Sequence, residues 1–275
     1  MKDSALNRIS TRTFKKEPLS NEDIDKISSI VFDSNSIKGP FDHSFEFTYY
    51  LNKLRSQKGK KIGTYGLIKN PPLFVGGTCN NDPESIIDYG YSMQRLILEF
   101  TKNGYNTCWL GGTFNRKHFK KDIPENEIIP AITPVGYAAE SRSIIDKSFR
   151  SVAQSNTRFS LKQLFKRYDG EELTFKEDNV ILQSLSLVRR GPSASNKQPW
   201  RGFVDDCKVH YYIKRTPRYP AISMGYDIQL LDMGIALCNF SIGLEHYKQN
   251  YAYFKLETPK IFEGMEYIIS VDTSI

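Results

Sequence analysis

The spacing of hydrophobic and polar residues along this chain predicts a mixture of helices and strands. In "LSNEDIDKISSIVF" (19–32), isoleucines recur at helical spacing, and Ser20 and Asp23 stand three positions apart, as in a capping box. A longer helix is predicted over 80–104, where an Asp-Pro pair opens the segment and a glycine closes it. Three strands are predicted in the same region, over 44–50, 71–77 and 129–137.

The pattern of helices and strands repeats after a polar stretch. From Ala138 to about Leu173 the composition shifts to Ser, Arg, Lys and Gln, which predicts a connection that crosses the surface. In the long helix predicted after it, a stripe of apolar residues predicts one buried face. The stripe consists of Ile228, Leu231, Ile235, Cys238 and Ile242. The elements predicted in this part are helices over 179–188 and 227–250, a hairpin over 202–214 and a strand over 265–271.

Two passages of the chain share one order of elements: helix, Gly-Pro, strand, strand, long helix and strand. The Gly-Pro pairs stand in "SIKGPF" and "VRRGPS", and the two long helices contain "DYG" and "DMG" at matching places. Because several such features recur in the same order, we predict an internal duplication. The first half would cover residues 1–150, and the second half would cover residues 151–275.

The composition fits a globular protein of one large or two small domains. Of its 275 residues, 39% are hydrophobic and 13% are aromatic, which is enough for a buried core. The formal net charge of +7 favours anionic partners such as phosphates and nucleotides. The cysteines and histidines are too scattered to indicate a metal site or a disulfide framework.

Two classes of partner find little support in the sequence. No zinc-ligand spacing, RNP-like motif or basic helix indicates nucleic-acid binding. The segment "MKDSALNRIS" lacks an apolar core, and no apolar run approaches the eighteen or so residues that span a bilayer. We therefore expect a cytoplasmic protein that binds neither nucleic acid nor a membrane.

Three short segments carry candidate chemistry. In "RISTRTF", Arg8 and Arg12 flank Ser10, and these groups either converge on a phosphate or form a solvated charged face. In "WLGGTF", two glycines either let backbone N–H groups approach a flat ligand or make a tight turn. In "GPSASNKQPWRGF", hydroxyls and amides between two prolines suit a turn, but a turn does not require the Gln-Pro-Trp that follows.

Together these segments resemble the motifs of the FMN-dependent nitroreductase family: R-x-S-x-R-x-F, a G-G turn after the long central helix, and P-S-x-x-N-x-Q-P-W. In that family two identical subunits interlock around each flavin, and the third motif comes from the partner subunit. Here the first two motifs lie in the first half and the third lies in the second half. The resemblance covers nearly the whole chain and implies an intramolecular pseudo-dimer, an α+β fold with mostly antiparallel sheets flanked by helices.

The resemblance also implies which residues surround FMN. Arg8 and Ser10 would bind the phosphate, and Arg12 would lie near the pyrimidine edge of the flavin. Gly111 would present its backbone N–H to the flavin N5. Arg158 would either complete the phosphate cluster or be a relic of the second copy's own motif. The remaining implied cofactor-binding residues are Gly112, Pro192, Ser193, Ser195, Asn196 and Gln198.

The sequence departs from the family pattern at three places. Ile9 stands where the family often has a basic or polar residue, and Asn156 stands at the place of a cationic phosphate ligand. The first half has "PFDHSFEF" where its own loop motif would be. We therefore expect one FMN per chain, held by a monomer that needs no partner subunit for the flavin site.

The implied reaction requires no catalytic side chain. NAD(P)H would reduce FMN, and a nitroaromatic, a quinone or a similar acceptor would then take the electrons, while the protein supplies binding and orientation. The tract "RTPRYPAISMGY" (215–226) is a candidate lining of the acceptor pocket, and core packing is the alternative role of its tyrosines. The alternative function is a flavin-binding protein without reductase turnover.

Overall fold

The computed structural model describes residues 1–52, 67–116, 119, 123–140, 157–174, 179–217, 219 and 225–275. The helices are α1 (Lys2–Asn7), α2 (Asn21–Ser34), α3 (Pro83–Lys102), α4 (Leu161–Leu164), α5 (Val180–Arg190) and α6 (Ile228–His246). The strands are β1 (Thr48–Leu51), β2 (Leu73–Gly76), β3 (Cys79–Asn80), β4 (Asn106–Thr107), β5 (Glu127–Ile128), β6 (Ile132–Gly136), β7 (Phe165–Arg167), β8 (Trp200–Asp205), β9 (Lys208–Ile213), β10 (Ala252–Phe254) and β11 (Glu266–Asp272). The predicted α+β class is confirmed.

Two sheets with the same order of strands flank the helices. The first sheet has the order β1-β2-β6-β4 and is antiparallel throughout. The second sheet has the order β10-β11-β9-β8-β7, and its β7–β8 pair is parallel. In the first sheet, β1 pairs with β2, β2 with β6, and β6 with the short strand β4. In the second sheet, β8 pairs with β9, β9 with β11, and β11 with the short strand β10, while β7 is an additional edge strand. The mostly antiparallel sheets are confirmed, and their shared topology is what a duplication predicts.

Helices α3 and α6 cross in the middle of the molecule through two glycines. A Cβ atom on Gly90 would stand 2.5 Å from the carbonyl oxygen of Leu231, and one on Gly234 would collide with the carbonyl oxygen of Ile87. Only glycine lets two backbones approach this closely. These glycines belong to the "DYG" and "DMG" segments of the sequence. The crossing therefore joins the two halves at matching positions.

The predicted apolar stripe of α6 is buried, and the other faces of the helix are buried as well. Every residue from Ile228 to Leu244 is buried, because α6 packs between α3, α5 and the second sheet. By length and composition α6 could cross a membrane, but 94% of its apolar window is buried within the protein. A helix that is apolar all round is typical of the core of a large domain.

The residues predicted to begin α2, and to begin and end α3, have these roles in the structure. Ser20 and Asp23 form a reciprocal capping box at the start of α2. Asp82 caps α3, and Gly104 follows its last turn with φ +83°. Strand β1 is shorter than predicted, because the N–H of Phe47 bonds to the side chain of Asn35 instead of a neighbouring strand.

The polar connection between the halves contains structure that the sequence did not predict. Residues 157–174 include α4, which starts at a capping box of Ser160 and Gln163, and β7, which pairs with β8. Phe165 of β7 is fully buried, so this part is not a simple surface crossing. Residues 141–156 of the predicted connection, and with them Asn156, lie outside the described residues.

Candidate ligand-binding cavity

A cavity of about 770 Å³ lies where the two halves meet. Its walls come from the segment after α1, the glycine-rich turn before β5, the segment before α4, the end of α5, the loop before β8 and one side of α6. Small-molecule sites in proteins commonly have volumes of about 300–1,000 Å³. The cavity contains all but one of the predicted site residues: Arg8, Ser10, Arg12, Gly111, Gly112, Arg158, Pro192, Ser193, Ser195 and Asn196.

The loop 191–198 has an unusual backbone that a buried aspartate holds in place. Ser195, Asn196 and Gln198 adopt φ angles of 48°, 56° and 48°, in the left-handed region. Non-glycine residues in this region cost free energy and concentrate at functional sites. The carboxylate of Asp232 on α6 accepts the N–H of Ala194 at 2.9 Å, and Ser193 Oγ accepts the N–H of Gln198. The loop is therefore a fixed structure rather than an ordinary turn.

Asp88 on α3 holds the corresponding segment of the first half. Its carboxylate accepts the N–H groups of Phe41 and His43 and contacts His43 Nδ1 at 2.9 Å. Burial raises the pKa of Asp88, although these hydrogen bonds act in the opposite direction. Asp88 and Asp232 are the first residues of "DYG" and "DMG". In each half, the aspartate at this corresponding position therefore fixes the segment after the Gly-Pro pair.

Asn196 connects the loop to Arg158. The guanidinium of Arg158 donates from Nη1 to Asn196 Oδ1 at 2.7 Å, and Asn196 Nδ2 donates to the carbonyl oxygen of Thr157 at 2.9 Å. Both side chains line the cavity. The amide thus orients a cation towards the space that the loop encloses. A charge-assisted hydrogen bond of this kind is stronger than one between neutral groups.

Gln198 has a different position from the other predicted site residues. Its side chain is buried and does not line the cavity. Gln198 Oε1 accepts the N–H of Phe159 at 3.0 Å, and Nε2 donates to the carbonyl oxygen of Asn196 at 3.2 Å. It therefore fastens the segment that carries Arg158 to the loop.

The glycine-rich turn is fixed by contacts with the second half. The carbonyl oxygen of Gly111 accepts Arg116 Nη2 at 2.8 Å and the Tyr226 hydroxyl at 3.2 Å. A Cβ on Gly111 would stand 2.5 Å from Ile228 Cδ1, so a larger residue there would require the Ile228 side chain to move. Among the described residues no group accepts the backbone N–H of Gly111. That donor remains available to a ligand.

Positive charge dominates the cavity. Asp232 is the one carboxyl group among the described lining residues, and burial raises its pKa well above the usual value, which disfavours its charged form. Burial and the charges of Arg189 and Arg190 lower the pKa of Arg158. A cavity of this kind attracts anions. Its cationic lining residues are Arg8, Arg12, Arg158, Arg189, Arg190 and Lys197.

A family model described as "Putative TM nitroreductase" matches residues 2–244. This chain belongs to the nitroreductase family. The predicted family is therefore confirmed. A search of the curated proteins found no match.

Solved structures of other nitroreductases resemble this chain. One from Thermotoga maritima, described as a "putative nitroreductase", has a TM-score of 0.62 and 16% identity, and the alignment covers 100% of this chain and 94% of that one. This similarity supports the fold alone. A Bacteroides fragilis nitroreductase with bound FMN has a TM-score of 0.39 and 16% identity, over 52% of this chain and 90% of its own. An FMN-dependent nitroreductase from Clostridium difficile has a TM-score of 0.38 and 21% identity, over the same shares.

Several lining residues of this nitroreductase were missed by sequence reasoning. Trp109 donates from Nε1 to Gln94 Oε1 at 3.1 Å, and Gln94 Nε2 donates to Asn239 Oδ1 at 3.0 Å, which links the cavity wall to both central helices. Arg189 and Arg190 directly precede the Gly-Pro pair, and this position next to the loop motif could have indicated that they line the cavity. No local pattern indicated Asp232 or Trp109, because their positions depend on the crossing of α3 and α6.

The aromatic tract 215–226 contributes to the cavity in part. Tyr219 lines the cavity, and its hydroxyl lies 2.9 Å from Ser195 Oγ. Tyr226 supports the glycine-rich turn and donates to the carbonyl oxygen of Pro130 at 2.6 Å. Arg218 and residues 220–224 lie outside the described residues. The described tyrosines therefore take one lining role and one packing role.

At the matching position of the first half, a bulky side chain is buried. Counting from Asp88 and Asp232, Tyr91 on α3 corresponds to the cavity-lining Ile235 on α6. Tyr91 is buried and its ring packs against Tyr253 at 6.4 Å between centroids. Nearby, Arg95 makes two hydrogen bonds to Glu245, at 2.7 and 2.6 Å, and Lys255 Nζ stands 4.9 Å from the centroid of the Phe41 ring. A buried tyrosine thus stands where the second half has a cavity-lining isoleucine.

Proposed function

We propose that this protein is an FMN-dependent oxidoreductase that passes electrons from NAD(P)H to a nitroaromatic, a quinone or a similar small acceptor. One observation carries the proposal. The "RISTR" segment, the glycine-rich turn and the "PSASN" loop are far apart in sequence, yet they line one positively charged cavity. Membership of the nitroreductase family supports the same redox chemistry.

The residues present fit FMN. The cavity volume of about 770 Å³ can hold a nucleotide-sized ligand, and the basic lining suits its phosphate. In the proposal, Arg8, Ser10 and Arg158 bind the phosphate, and Arg12 lies at the pyrimidine edge. The unaccepted N–H of Gly111 suits a flavin ring nitrogen. Gly112 and the loop residues Pro192, Ser193, Ser195 and Asn196 complete the site, and Gln198 positions the loop.

The protein's contribution to the reaction is electrostatic and geometric. When bound, FMN supplies the two-electron chemistry by accepting and then donating hydride equivalents. With FMN bound, the Arg12 guanidinium would favour negative charge at the edge of the ring and so would stabilise the reduced state. Ile228, Leu231 and Ile235 supply an apolar wall from α6 that excludes water. Burial raises the pKa of Asp232, which disfavours an opposing negative charge in the wall.

We also propose that the chain is a duplicated pseudo-dimer with one cofactor site. The repeated sheet topology, the paired aspartates and the glycine crossing support the duplication. The buried Tyr91 at the matching position of the first half supports a single FMN per chain. Since both halves supply walls of the cavity, a monomer is sufficient to form it. The cytoplasmic location and the domain boundary near residue 150 stay predictions.

Two measurements on the same preparation test the function. Freshly purified protein mixed with FMN and freed from excess should keep the visible absorption of a bound flavin. NADH or NADPH should then be oxidised continuously when a quinone or a nitroaromatic compound is present. Bound flavin without NAD(P)H oxidation would favour a flavin-binding protein that lacks reductase turnover, and absence of bound flavin would refute both functions.

A further inference from the structure

Arg189 and Arg190, the last two residues of α5, stand beside Arg158 and have no role in the motifs of the sequence. Arg189 donates from Nε to the carbonyl oxygen of Phe159 at 2.7 Å, and Phe159 directly follows Arg158 in the sequence. The charges of both residues are close enough to lower the pKa of Arg158. All three side chains line the cavity.

Three guanidiniums in one place repel one another unless an anion joins them. Within the described part of the chain, no carboxylate forms an ion pair with Arg189 or Arg190. Among the described lining residues, Asp232 has the one carboxyl group, and burial raises its pKa and so disfavours its charged form. Repulsion of this kind is costly in a partly desolvated site, so the cluster indicates an anion site.

The dipole of helix α5 alone does not explain why Arg158, Arg189 and Arg190 lie together. Cations in the last turn of a helix interact favourably with its dipole, which explains why α5 tolerates Arg189 and Arg190 there. Arg158 comes from another segment, however, and Asn196 and Gln198 hold that segment against the loop that follows α5. The loop contacts thus bring a third charge towards the first two.

We propose that Arg189 and Arg190 complete, with Arg158, the binding site for the phosphate of the cofactor, so that the second half supplies most of the positive charge that phosphate meets. This inference rests on the proposed FMN function. A phosphate monoester has three acceptor oxygens and nearly two negative charges at neutral pH. Arginine forks match those oxygens in pairs, and the three positive charges exceed the nearly two negative charges of the phosphate. The cluster would make the protein select FMN over riboflavin.

Equilibrium titrations with FMN and with riboflavin test the inference, because riboflavin lacks the phosphate. Arg190→Gln should weaken FMN binding roughly tenfold and should leave riboflavin binding unchanged. Tenfold is the lower end for the loss of a charge-assisted contact, because the Arg190 side chain is exposed. Arg190→Lys should recover part of the loss because it restores the charge. Arg189→Gln combined with Arg190→Gln should lose more than either change alone. Equal effects on both flavins, or none on FMN, would overturn the proposal.

A matched control and a flavin-free assay separate this inference from the function it rests on. Arg167→Gln removes the same charge from an exposed arginine that pairs with Asp169 away from the cavity, and FMN affinity should not change. Inorganic phosphate should raise the midpoint of thermal unfolding of the wild type but not of the double variant. Phosphate stabilisation that depends on Arg190, without flavin binding, would support the anion site and refute the FMN function. FMN binding that is equal in wild type and variants would refute only the cluster's role.

Discussion

Substitution of Asn196 tests whether the loop before β8 is a cofactor-binding element or only a turn. The Asn196 side chain accepts a hydrogen bond from Arg158 at 2.7 Å and donates one to the carbonyl oxygen of Thr157 at 2.9 Å, and its φ is 56°. Asn196→Ala removes both bonds and puts a Cβ-bearing residue without a polar group in the left-handed region. Asn196→Gly removes the same bonds but relieves the backbone strain.

The magnitudes of these effects differ in a way that can be measured. The lost bonds cost about 2 kcal/mol in stability, since one of them involves a charged group and the site is partly exposed. Alanine at this φ adds about 1 kcal/mol, which glycine avoids. Without Asn196, the Arg158 side chain is no longer held in place before a phosphate binds. Ordering this side chain on binding then costs up to about 2 kcal/mol of the binding free energy. We expect FMN affinity to fall roughly tenfold or more in both variants, at 1.4 kcal/mol per tenfold change.

The assay compares the FMN dissociation constant with the free energy of unfolding for each variant. Asp42→Ala is the matched control, because Asp42 also has a left-handed φ, of 71°, and lies in the segment of the first half that corresponds to the loop. It pairs with Lys38 on the surface, away from the cavity. This control should lose stability without losing affinity. Equal losses of affinity in Asp42→Ala and Asn196→Gly, or none in Asn196→Gly, would refute the reasoning.

Three further predictions follow from the central helices and the assembly. Gly90→Ala should lower the free energy of unfolding by about 1–3 kcal/mol in urea titrations, because its Cβ would stand 2.5 Å from the carbonyl oxygen of Leu231, and unchanged stability would contradict the close crossing. Burial raises the pKa of Asp232 above 3.8, so its proton stabilises the fold fully below that pH, and this contribution is lost as the pH rises towards the folded pKa. The midpoint of thermal unfolding of Asp232→Asn should therefore exceed that of the wild type by an amount that grows as the pH rises above 3.8, and a constant difference would contradict the raised pKa. Analytical sedimentation at micromolar concentration should find a monomer that binds FMN, and an affinity that follows dimer formation would exclude a site within one chain.

The elements of the fold that depend on local signals could be predicted from the sequence. The capping box of Ser20 and Asp23 and the Asp82 cap set the starts of α2 and α3, because these interactions lie within a few residues of one another. The hairpin of β8 and β9 was predicted because both strands flank a short polar turn at Asp205 and Asp206.

Features that depend on distant contacts could not be predicted. Strand β7 is recognisable only through its pairing with β8, since its neighbours in sequence are polar. The burial of all sides of α6 depends on the glycine crossing with α3, which brings the polar residues of both helices into contact, such as Gln94 with Asn239. A pattern read along one helix cannot reveal what packs on its other faces.

The candidate site was predictable where a family motif exists and not elsewhere. Arg8, Arg12 and Asn196 were found through their motifs, and the structure brings them to one cavity. Gln198 belongs to the same motif but faces away from the cavity, because its amide holds the backbone of Phe159. Arg189 lies outside the motif, and its importance depends on contact with a segment about thirty residues away.

Titration of the protein with FMN, followed by quenching of flavin fluorescence, tests the central claim most directly. The wild type should quench the fluorescence until one equivalent of FMN per chain has been added, and Arg8→Ala should weaken the binding by removing a charged phosphate contact. The first half, with Tyr91 buried at the matching position, should admit no second equivalent. Saturation at two equivalents would mean that both halves bind flavin, and an absence of saturable quenching would mean that the cavity does not hold FMN.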